Sequence, residues 1–273
     1  MTKQSFCFDD IPDLSGKVAI VTGGNTGIGF VTVRELARKN CHVFLGSRSK
    51  EKADIAIQKI KEVIPNANVE FLGMDLLSLE SVDAAVHDFK AKGLPLHILI
   101  NNAGIMACPF SLSKDGIESQ FATNHVAHFR LTTGLLPILE ASRPSRIVNV
   151  SSMAHKWADS FDLNELNNEK KYSKWTAYGV SKLSNIYFTR ELSRRLEEKG
   201  VNDLYVNCVH PGVVNTELTR HNSFFGLTKF FASLFFISPD QGAMTQLYVA
   251  TNQDIERNNY KGQYFVKNLN LNN

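Results

Sequence analysis

Two side chains in this sequence are spaced so that one could move a proton while the other holds charge beside it: Tyr178 and Lys182, in Tyr178-Gly179-Val180-Ser181-Lys182. The segment has helical period, and residues four apart share a helix face, so phenol and ammonium lie together. A free phenol has a pKa of about 10, and only on the order of 0.1% is phenolate at neutral pH. A fixed ammonium is expected to favour the phenolate by Coulomb attraction, each pKa unit being worth about 1.4 kcal/mol. Tyr178 could then protonate a carbonyl oxygen during reduction or accept an alcohol proton during oxidation, which is general acid–base chemistry. A third group is Ser152, which ends the run Arg146-Ile-Val-Asn-Val-Ser. That places its hydroxyl at the carboxyl edge of a strand, where doubly wound sheets keep their ligands, suited to orienting a substrate oxygen. Alternation along the strand points the neighbouring Ser151 the other way. A surface tyrosine over a lysine stem is the commoner meaning of an isolated Tyr-x-x-x-Lys, so the surrounding elements decide.

Those elements alternate. Short apolar runs predict strands at Lys17–Thr22, His42–Gly46, Val69–Met74, Leu96–Asn101, Arg146–Ser151, Leu204–His210 and Gln263–Val266, with helix-period segments between them. Runs such as Val18-Ala-Ile-Val21 and His97-Ile-Leu-Ile100 are apolar at successive positions, as strands buried on both faces of a parallel sheet require. With right-handed crossovers this is an α/β, doubly wound (Rossmann) and mostly parallel sheet of about seven strands with helices on both faces. A chain of 273 residues that is 43% hydrophobic and 21% charged is expected to form one domain over residues 1–273.

The first predicted strand runs into Thr22-Gly23-Gly24-Asn25-Thr26-Gly27-Ile28-Gly29, glycines standing where side chains would obstruct a dinucleotide. A helix starting near Gly27 would aim free N–H groups and its positive dipole end at a pyrophosphate. A glycine-rich turn without a ligand is the alternative, made less economical by the location after the first strand of an alternating chain.

The glycine spacing resembles T-G-x-x-x-G-x-G of the short-chain dehydrogenase/reductase family. Further segments fit in the family's order: Asp75-Leu76, Asn101-Asn102-Ala103-Gly104, the set Asn124, Ser152, Tyr178 and Lys182, and Pro211-Gly212-Val213-Val214-Asn215-Thr216, so that the resemblance spans about Gly16 to Gly242. It implies cofactor contacts from Gly23, Asn25, Thr26, Gly27, Ile28 and Gly29 around the phosphates, and from Asp75 and Leu76 at the adenine. Asn102, Ala103 and Gly104 would line the path towards the nicotinamide, with Pro211, Gly212, Val214 and Thr216 beside it. Tyr178 and Lys182 would also touch the cofactor, Lys182 through the nicotinamide ribose. Asn124 would hold a water near the lysine, unless it merely kinks or caps its helix. The family also implies a homodimer through the long helices near Asn124–Glu140 and Thr176–Glu198.

Cofactor choice is read from the end of the second strand, Phe44-Leu45-Gly46-Ser47-Arg48-Ser49. An acid there would pair with the ribose 2′-hydroxyl of NAD and repel a 2′-phosphate, whereas a guanidinium offers a fork of donors to phosphate oxygens. Ser47 and Arg48 therefore point to NADP(H), although Thr26 stands where some NADP-using relatives carry a basic residue.

The interval of 26 residues from Ser152 to Tyr178 is roughly twice the family's usual spacing, so residues 155–175 read as an insertion; it holds Trp157, Phe161, Tyr172 and Trp175, including both tryptophans of the chain. Ser223–Ile237 carries six of the eighteen phenylalanines, too many for one helical face. Residues 215–237 are expected to form a substrate-side lid, with core packing and a membrane-interface helix as alternatives; about 15 residues with Lys229 among them are too short to span a bilayer. Asn149-Val-Ser-Ser-Met-Ala-His155, Arg190-Glu-Leu-Ser-Arg-Arg-Leu196 and Pro239-Asp-Gln-Gly-Ala243 resemble the subgroup containing retinol dehydrogenases and the WW-domain-containing oxidoreductase, which implies bulky hydrophobic carbonyl or alcohol substrates. A binder that senses NADP(H) with little turnover is the competing function, because fold alone does not establish catalysis.

A net charge of +3 with evenly spread Lys and Arg gives no nucleic-acid surface, and Asp9, Asp10, Pro12 and Asp13 interrupt any apolar run in Met1–Leu14, which reads as a soluble leader. Peripheral membrane contact stays open. Cys7, Cys41, Cys108 and Cys208 lie far apart, as reduced thiols of a cytoplasmic protein would. His125 and His128, one helical turn apart, lack partners at metal-ligand spacing, so no metal is expected and they read as packing or surface histidines. Asn268–Asn273 reads as a loose tail.

Overall fold

The computed structural model describes residues 6–158, 162, 165–212, 237–266 and 270–271. Its elements are β1 (Val18–Thr22), α1 (Gly27–Arg38), β2 (His42–Ser47), α2 (Lys50–Val63), β3 (Val69–Gly73), α3 (Leu79–Ala91), β4 (Ile98–Asn101), α4 (Ala127–Ala141), β5 (Ser145–Val150), α5 (Lys174–Glu198), β6 (Leu204–His210), α6 (Pro239–Thr251), β7 (Tyr264–Val266) and β8 (Asn270–Leu271). One sheet holds them in the order β3-β2-β1-β4-β5-β6-β7-β8. The first seven strands are parallel, as expected, and β8 adds an antiparallel edge through Phe265↔Leu271 and Val266↔Asn270. Part of the expected tail is therefore paired, since backbone groups at a sheet edge accept any strand that reaches them.

Successive apolar residues serve opposite faces, which is why the strands read as unbroken runs. Ala19 and Val21 of β1, Val43 and Leu45 of β2, and Ile98 and Ile100 of β4 pack under α1, α2 and α6. Val18 and Ile20, Phe44, and Leu99 pack on the other face with Val82 and Phe89 of α3, Leu131 and Leu135 of α4, and Leu192 and Leu196 of α5. Serines start the helices: Ser49, Ser78, Ser173 and Ser238 each accept a backbone N–H of the first turn of α2, α3, α5 and α6. Thr26 before α1 makes no such bond, which leaves the N–H groups of that first turn uncapped.

From Phe6 to Leu14 the N-terminal segment packs against the domain. Ile11 and Leu14 are buried in the core, Phe6 lies edge-on to Tyr248 of α6 at 5.4 Å, and Arg38 of α1 binds Asp9 at 3.0 Å. The apolar residues scattered among its aspartates find the gap beside α1 and α6, a destination that a search for a continuous apolar run does not register. No helix among the described residues is long and apolar enough to cross a membrane. Val214, Thr216, Phe161 and all of the expected lid except Ile237 lie outside the described residues.

Candidate active site

A cavity of about 340 Å³ runs along the carboxyl ends of β1 to β6. The strand order fixes its layout, because the chain leaves β1 for β2 and β3 on one side and returns to β4, β5 and β6 on the other. Ser47, Arg48, Met74, Asp75 and Leu76 line the β2–β3 end, the glycine turn and Asn102–Gly104 the middle, and Ser152, Tyr178, Lys182, Pro211 and Gly212 the β5–β6 end. A crevice of this kind at the reversal of strand order is where open α/β sheets bind ligands.

Close packing dictates the glycine turn at two positions. Gly23 has φ +66, and a Cβ built there would lie 3.1 Å from Ala103 Cα. A Cβ at Gly29 would lie 2.3 Å from the Gly23 carbonyl oxygen and 2.6 Å from Asn102 Nδ2. The start of α1 can thus sit directly against the turn, its uncapped N–H groups at the cavity wall. Asn102 ties the two sides together, its Nδ2 donating to the Thr22 carbonyl at 2.8 Å while its backbone N–H donates to Thr22 Oγ1 at 3.0 Å.

Below that joint lies His128, which is buried and bonded rather than merely packed. Its Nδ1 lies 3.1 Å from the Asn124 carbonyl, which can only accept, so Nδ1 carries the proton and Nε2 accepts from Thr22 Oγ1 at 2.9 Å. Thr22 Oγ1 in turn accepts from the backbone N–H groups of both Asn102 and Ala103. Burial pushes the His128 pKa down from 6.5 to about 4. A base with a folded pKa below its unfolded value binds fewer protons when folded, so this contribution is complete above about pH 6.5 and is lost as pH falls through about 4. The shift is worth about 3 kcal/mol. Urea unfolding at stepped pH should show native stability falling across that window, and the His128→Gln variant should show a shallower fall; parallel profiles would contradict the assignment.

At the β5–β6 end, Tyr178 and Lys182 project from α5 and Ser152 from the loop after β5. The Ser152 hydroxyl stands near enough to the Tyr178 phenol to oppose the rise of its pKa, and Lys182 Nζ lies 5.6 Å from the centre of the ring and donates to the Val150 carbonyl at 3.0 Å. Ser151 is turned away, as alternation demands, its hydroxyl donating to the Lys182 carbonyl at 2.7 Å. The expected lowering of the tyrosine pKa is corrected here. Burial pushes the phenol up to about 12, opposed by the Ser152 hydroxyl, and pushes Lys182 down to about 8. Both groups are 4% exposed, so loss of water governs each of them, and Tyr178 is held in its protonated form.

Asn124 does not reach the cavity wall. It lies in a wide π turn, Ala122–Val126, with its side chain fully buried. Its Oδ1 accepts from the Ile105 N–H, and its Nδ2 donates to the Ile105 carbonyl and to Ser181 Oγ, all at 2.9 Å. Its carbonyl accepts from Asn185 Nδ2 at 3.0 Å as well as from His128. The residue clamps the β4 loop to α5, and a Cβ on Gly104 would stand 3.2 Å from its Oδ1 and 3.5 Å from Lys182 Nζ.

The short chain dehydrogenase family profile matches residues 17–223. The chain belongs to the short-chain dehydrogenase/reductase family. It is similar to short-chain dehydrogenase TIC 32 A, chloroplastic, of Brassica napus, 43% identical over 263 residues that cover 93% of this chain and 81% of that protein. It is also similar to human retinol dehydrogenase 11, 44% identical over 256 residues covering 94% and 79% of the two chains. The solved structure of an uncharacterized protein from Mycobacterium Paratuberculosis superposes with a TM-score of 0.76 at 36% identity, covering 97% of this chain and 87% of that one. The family is one of oxidoreductases that use a nicotinamide cofactor.

Within this short-chain dehydrogenase/reductase, the cavity wall includes residues that no motif marks. Lys52 and Ser49 join Arg48 at one end, Ile105, Met106 and Thr123 face the middle, and His210 stands at the other end. Lys52 lies one helical turn beyond the motif position, and only the start of α2 at Lys50 turns it towards the site. The segment before α5 docks through Tyr172, whose hydroxyl donates to the Cys108 carbonyl at 2.8 Å and accepts from Gln120 Nε2 at 2.7 Å, and through Asn167, which bonds Gly116 and Glu118. Among the described residues no group of His, Cys, Asp and Glu side chains could hold a metal ion.

Proposed function

We propose that the protein transfers a hydride between NADP(H) and the carbonyl or alcohol group of a small hydrophobic substrate. The observation that carries this reading is one cavity with an Arg48 guanidinium at its β2 end and Ser152, Tyr178 and Lys182 together at its β5–β6 end. The glycine cradle fits a dinucleotide between them, since any Cβ at Gly29 would meet backbone. Gly23, Asn25, Thr26, Gly27, Ile28 and Gly29 would hold the phosphates, Asp75 and Leu76 the adenine, and Asn102, Ala103 and Gly104 the path towards the reacting end. When bound, the nicotinamide supplies or accepts the hydride. Tyr178, protonated at neutral pH, donates its hydroxyl proton to the substrate oxygen in reduction; Ser152 orients that oxygen; Lys182 sets the field beneath the phenol and bonds the cofactor ribose. Asn124 acts as a positioning residue that holds the Ile105 loop against α5, and Pro211 and Gly212 line the nicotinamide side, which Val214 and Thr216, outside the described residues, would complete.

The choice of NADP(H) is supported by Ser47, where an acid would favour NAD, and by exposed Arg48 and Lys52 on the rim of the same cavity end. Arg48→Asp is expected to weaken NADPH binding by at least about tenfold while leaving NADH binding close to wild type, as a fluorescence titration would read. An unchanged preference would show that another residue reads the phosphate.

A hydrophobic substrate is supported by the apolar surface beside Ser152 and Tyr178. Trp157 and Trp175 are exposed and meet edge-to-face at 5.6 Å, and Met153 next to Ser152 is also exposed. Trp175 lies one turn before Tyr178, and the name of retinol dehydrogenase 11 agrees with a lipophilic alcohol or aldehyde. The chain is read as one NADP-binding domain spanning 1–273, with the segment 155–175 as an insertion beside the reacting end; residues 215–236, expected as a substrate-side lid, lie outside the described residues. A homodimer is supported by exposed Phe129 on α4 and Tyr187 on α5, and a cytoplasmic setting by four cysteines that are all free thiols. The testing experiment is a titration with NADPH and with NADH, followed by loss of NADPH absorbance against short and long aldehydes, ketones and quinones. Tight NADPH binding with turnover of long aldehydes is expected; binding without turnover of any carbonyl would leave a sensor.

A further inference from the structure

His210 is the last residue of β6, and its imidazole forms part of the cavity wall at the end that holds Ser152, Tyr178 and Lys182. It is 6% exposed, and its Nδ1 is buried without a hydrogen-bond partner among the described residues. A buried, unpaired ring nitrogen is destabilising, and native proteins retain one where something else supplies the partner. The strand leaves the ring little freedom. His210 pairs in register with Val266 of β7, and on the other side Ser151 N–H donates to the Val209 carbonyl at 2.8 Å. The ring is thus presented from the middle of a three-strand block, as a preorganised binding group would be.

The charge state of the ring narrows what it can bind. Burial pushes its pKa down to about 4, and the groups that face it, His155 and Lys182, oppose a second positive charge. His155 is itself engaged, its Nδ1 donating to the Ser152 carbonyl at 2.8 Å and its ring edge-on to Tyr264 at 5.3 Å. At neutral pH His210 therefore offers one N–H and one lone pair. That combination suits a neutral amide or hydroxyl; a phosphate or carboxylate would draw the ring into its cationic form.

We propose that His210 is a binding residue of the reacting end, its Nδ1 hydrogen-bonding a neutral amide or hydroxyl group of the molecules that meet beside Tyr178. The proposal rests on the reading of the cavity as an NADP(H) and carbonyl site. The group can come from the carboxamide of the nicotinamide or from the substrate, and the two sources separate by experiment.

His210→Phe keeps a ring and removes both nitrogens, whereas His210→Asn returns an amide close to the Nδ1 position. Three quantities are measured for each: Kd for NADPH, Kd for adenosine 2′,5′-bisphosphate, which lacks the nicotinamide, and KM for a long-chain aldehyde. If the carboxamide is the partner, His210→Phe raises the NADPH Kd about tenfold and leaves the bisphosphate unchanged. If the substrate is the partner, NADPH binding holds and KM rises about tenfold instead. In either case His210→Asn recovers most of the loss. The proposal is overturned if His210→Phe leaves NADPH Kd and KM within about twofold of wild type, or if His210→Asn fares no better than His210→Phe, which would reduce the effect to ring shape. Should His210→Phe fail to bind the bisphosphate through misfolding, His210→Leu carries the same comparison. A wild type that does not bind the bisphosphate would count against the NADP(H) reading itself, a result separate from any His210 effect.

Discussion

Tyr178→Phe is expected to lower carbonyl reduction by on the order of 10²- to 10⁴-fold while NADPH affinity stays close to wild type. Only the hydroxyl is lost. The ring remains 4% exposed in its pocket on α5, the Lys182 ammonium still lies over it at the 5.6 Å seen here, and no packing void opens. What disappears is the proton that burial keeps on the phenol, its pKa pushed up to about 12, beside the Ser152 hydroxyl. Without the phenol, the substrate oxygen loses the one acid aimed at it and must take its proton from water. Steady-state kcat/KM with an aldehyde and a separate NADPH titration read the two effects apart. Activity within about tenfold of wild type would remove Tyr178 from the mechanism.

Gly29→Ala should be the most damaging single change at the cofactor end. The added methyl would lie 2.3 Å from the Gly23 carbonyl oxygen and 2.6 Å from Asn102 Nδ2, and neither is the free end of a flexible side chain. Asn102 is held by Thr22 on two bonds, and Thr22 by His128, so relief has to come from the start of α1 moving outward. That movement takes the uncapped N–H groups away from where a pyrophosphate would sit. We expect NADPH affinity to fall by at least about 10²-fold and overpacking to destabilise the fold by about 1–3 kcal/mol. Calorimetry and cofactor titration on the same sample check both, and wild-type affinity in a normally folded variant would contradict the cradle.

The contrast between those two residues and others of the site shows what the chain discloses unaided. Strands were legible because β1 and β4 are buried on both faces, leaving apolar runs such as Ala19-Ile20-Val21 without polar breaks. Tyr178, Lys182 and the glycine turn were legible because their geometry is local, fixed by four residues of helix or by one strand-to-helix turn. Asn124 was legible as a position but not as a contact: a π turn shifts the helix there, and the side chain joins Ile105 and Ser181 in place of the wall. His128 and His210 gained their meaning from partners on other strands, Thr22 some hundred residues earlier in one case and the β5–β7 block in the other. Nothing in their own neighbourhoods distinguishes them from core histidines. The pKa direction at Tyr178 is hidden for a related reason, since spacing gives the neighbouring charge and says nothing of how much water the pair loses.

The measurement closest to the central claim follows the hydride itself. NADPH carrying deuterium at C4 of the nicotinamide, on the transferred face, is incubated with the protein and a long-chain aldehyde, and the alcohol formed is examined by mass spectrometry. The account predicts that deuterium appears on the carbinol carbon of the product in wild type, and that this transfer nearly vanishes in Tyr178→Phe although the cofactor still binds. Tight binding of NADPH with no deuterium reaching any carbonyl substrate would contradict it and leave a protein that holds the cofactor without reacting it.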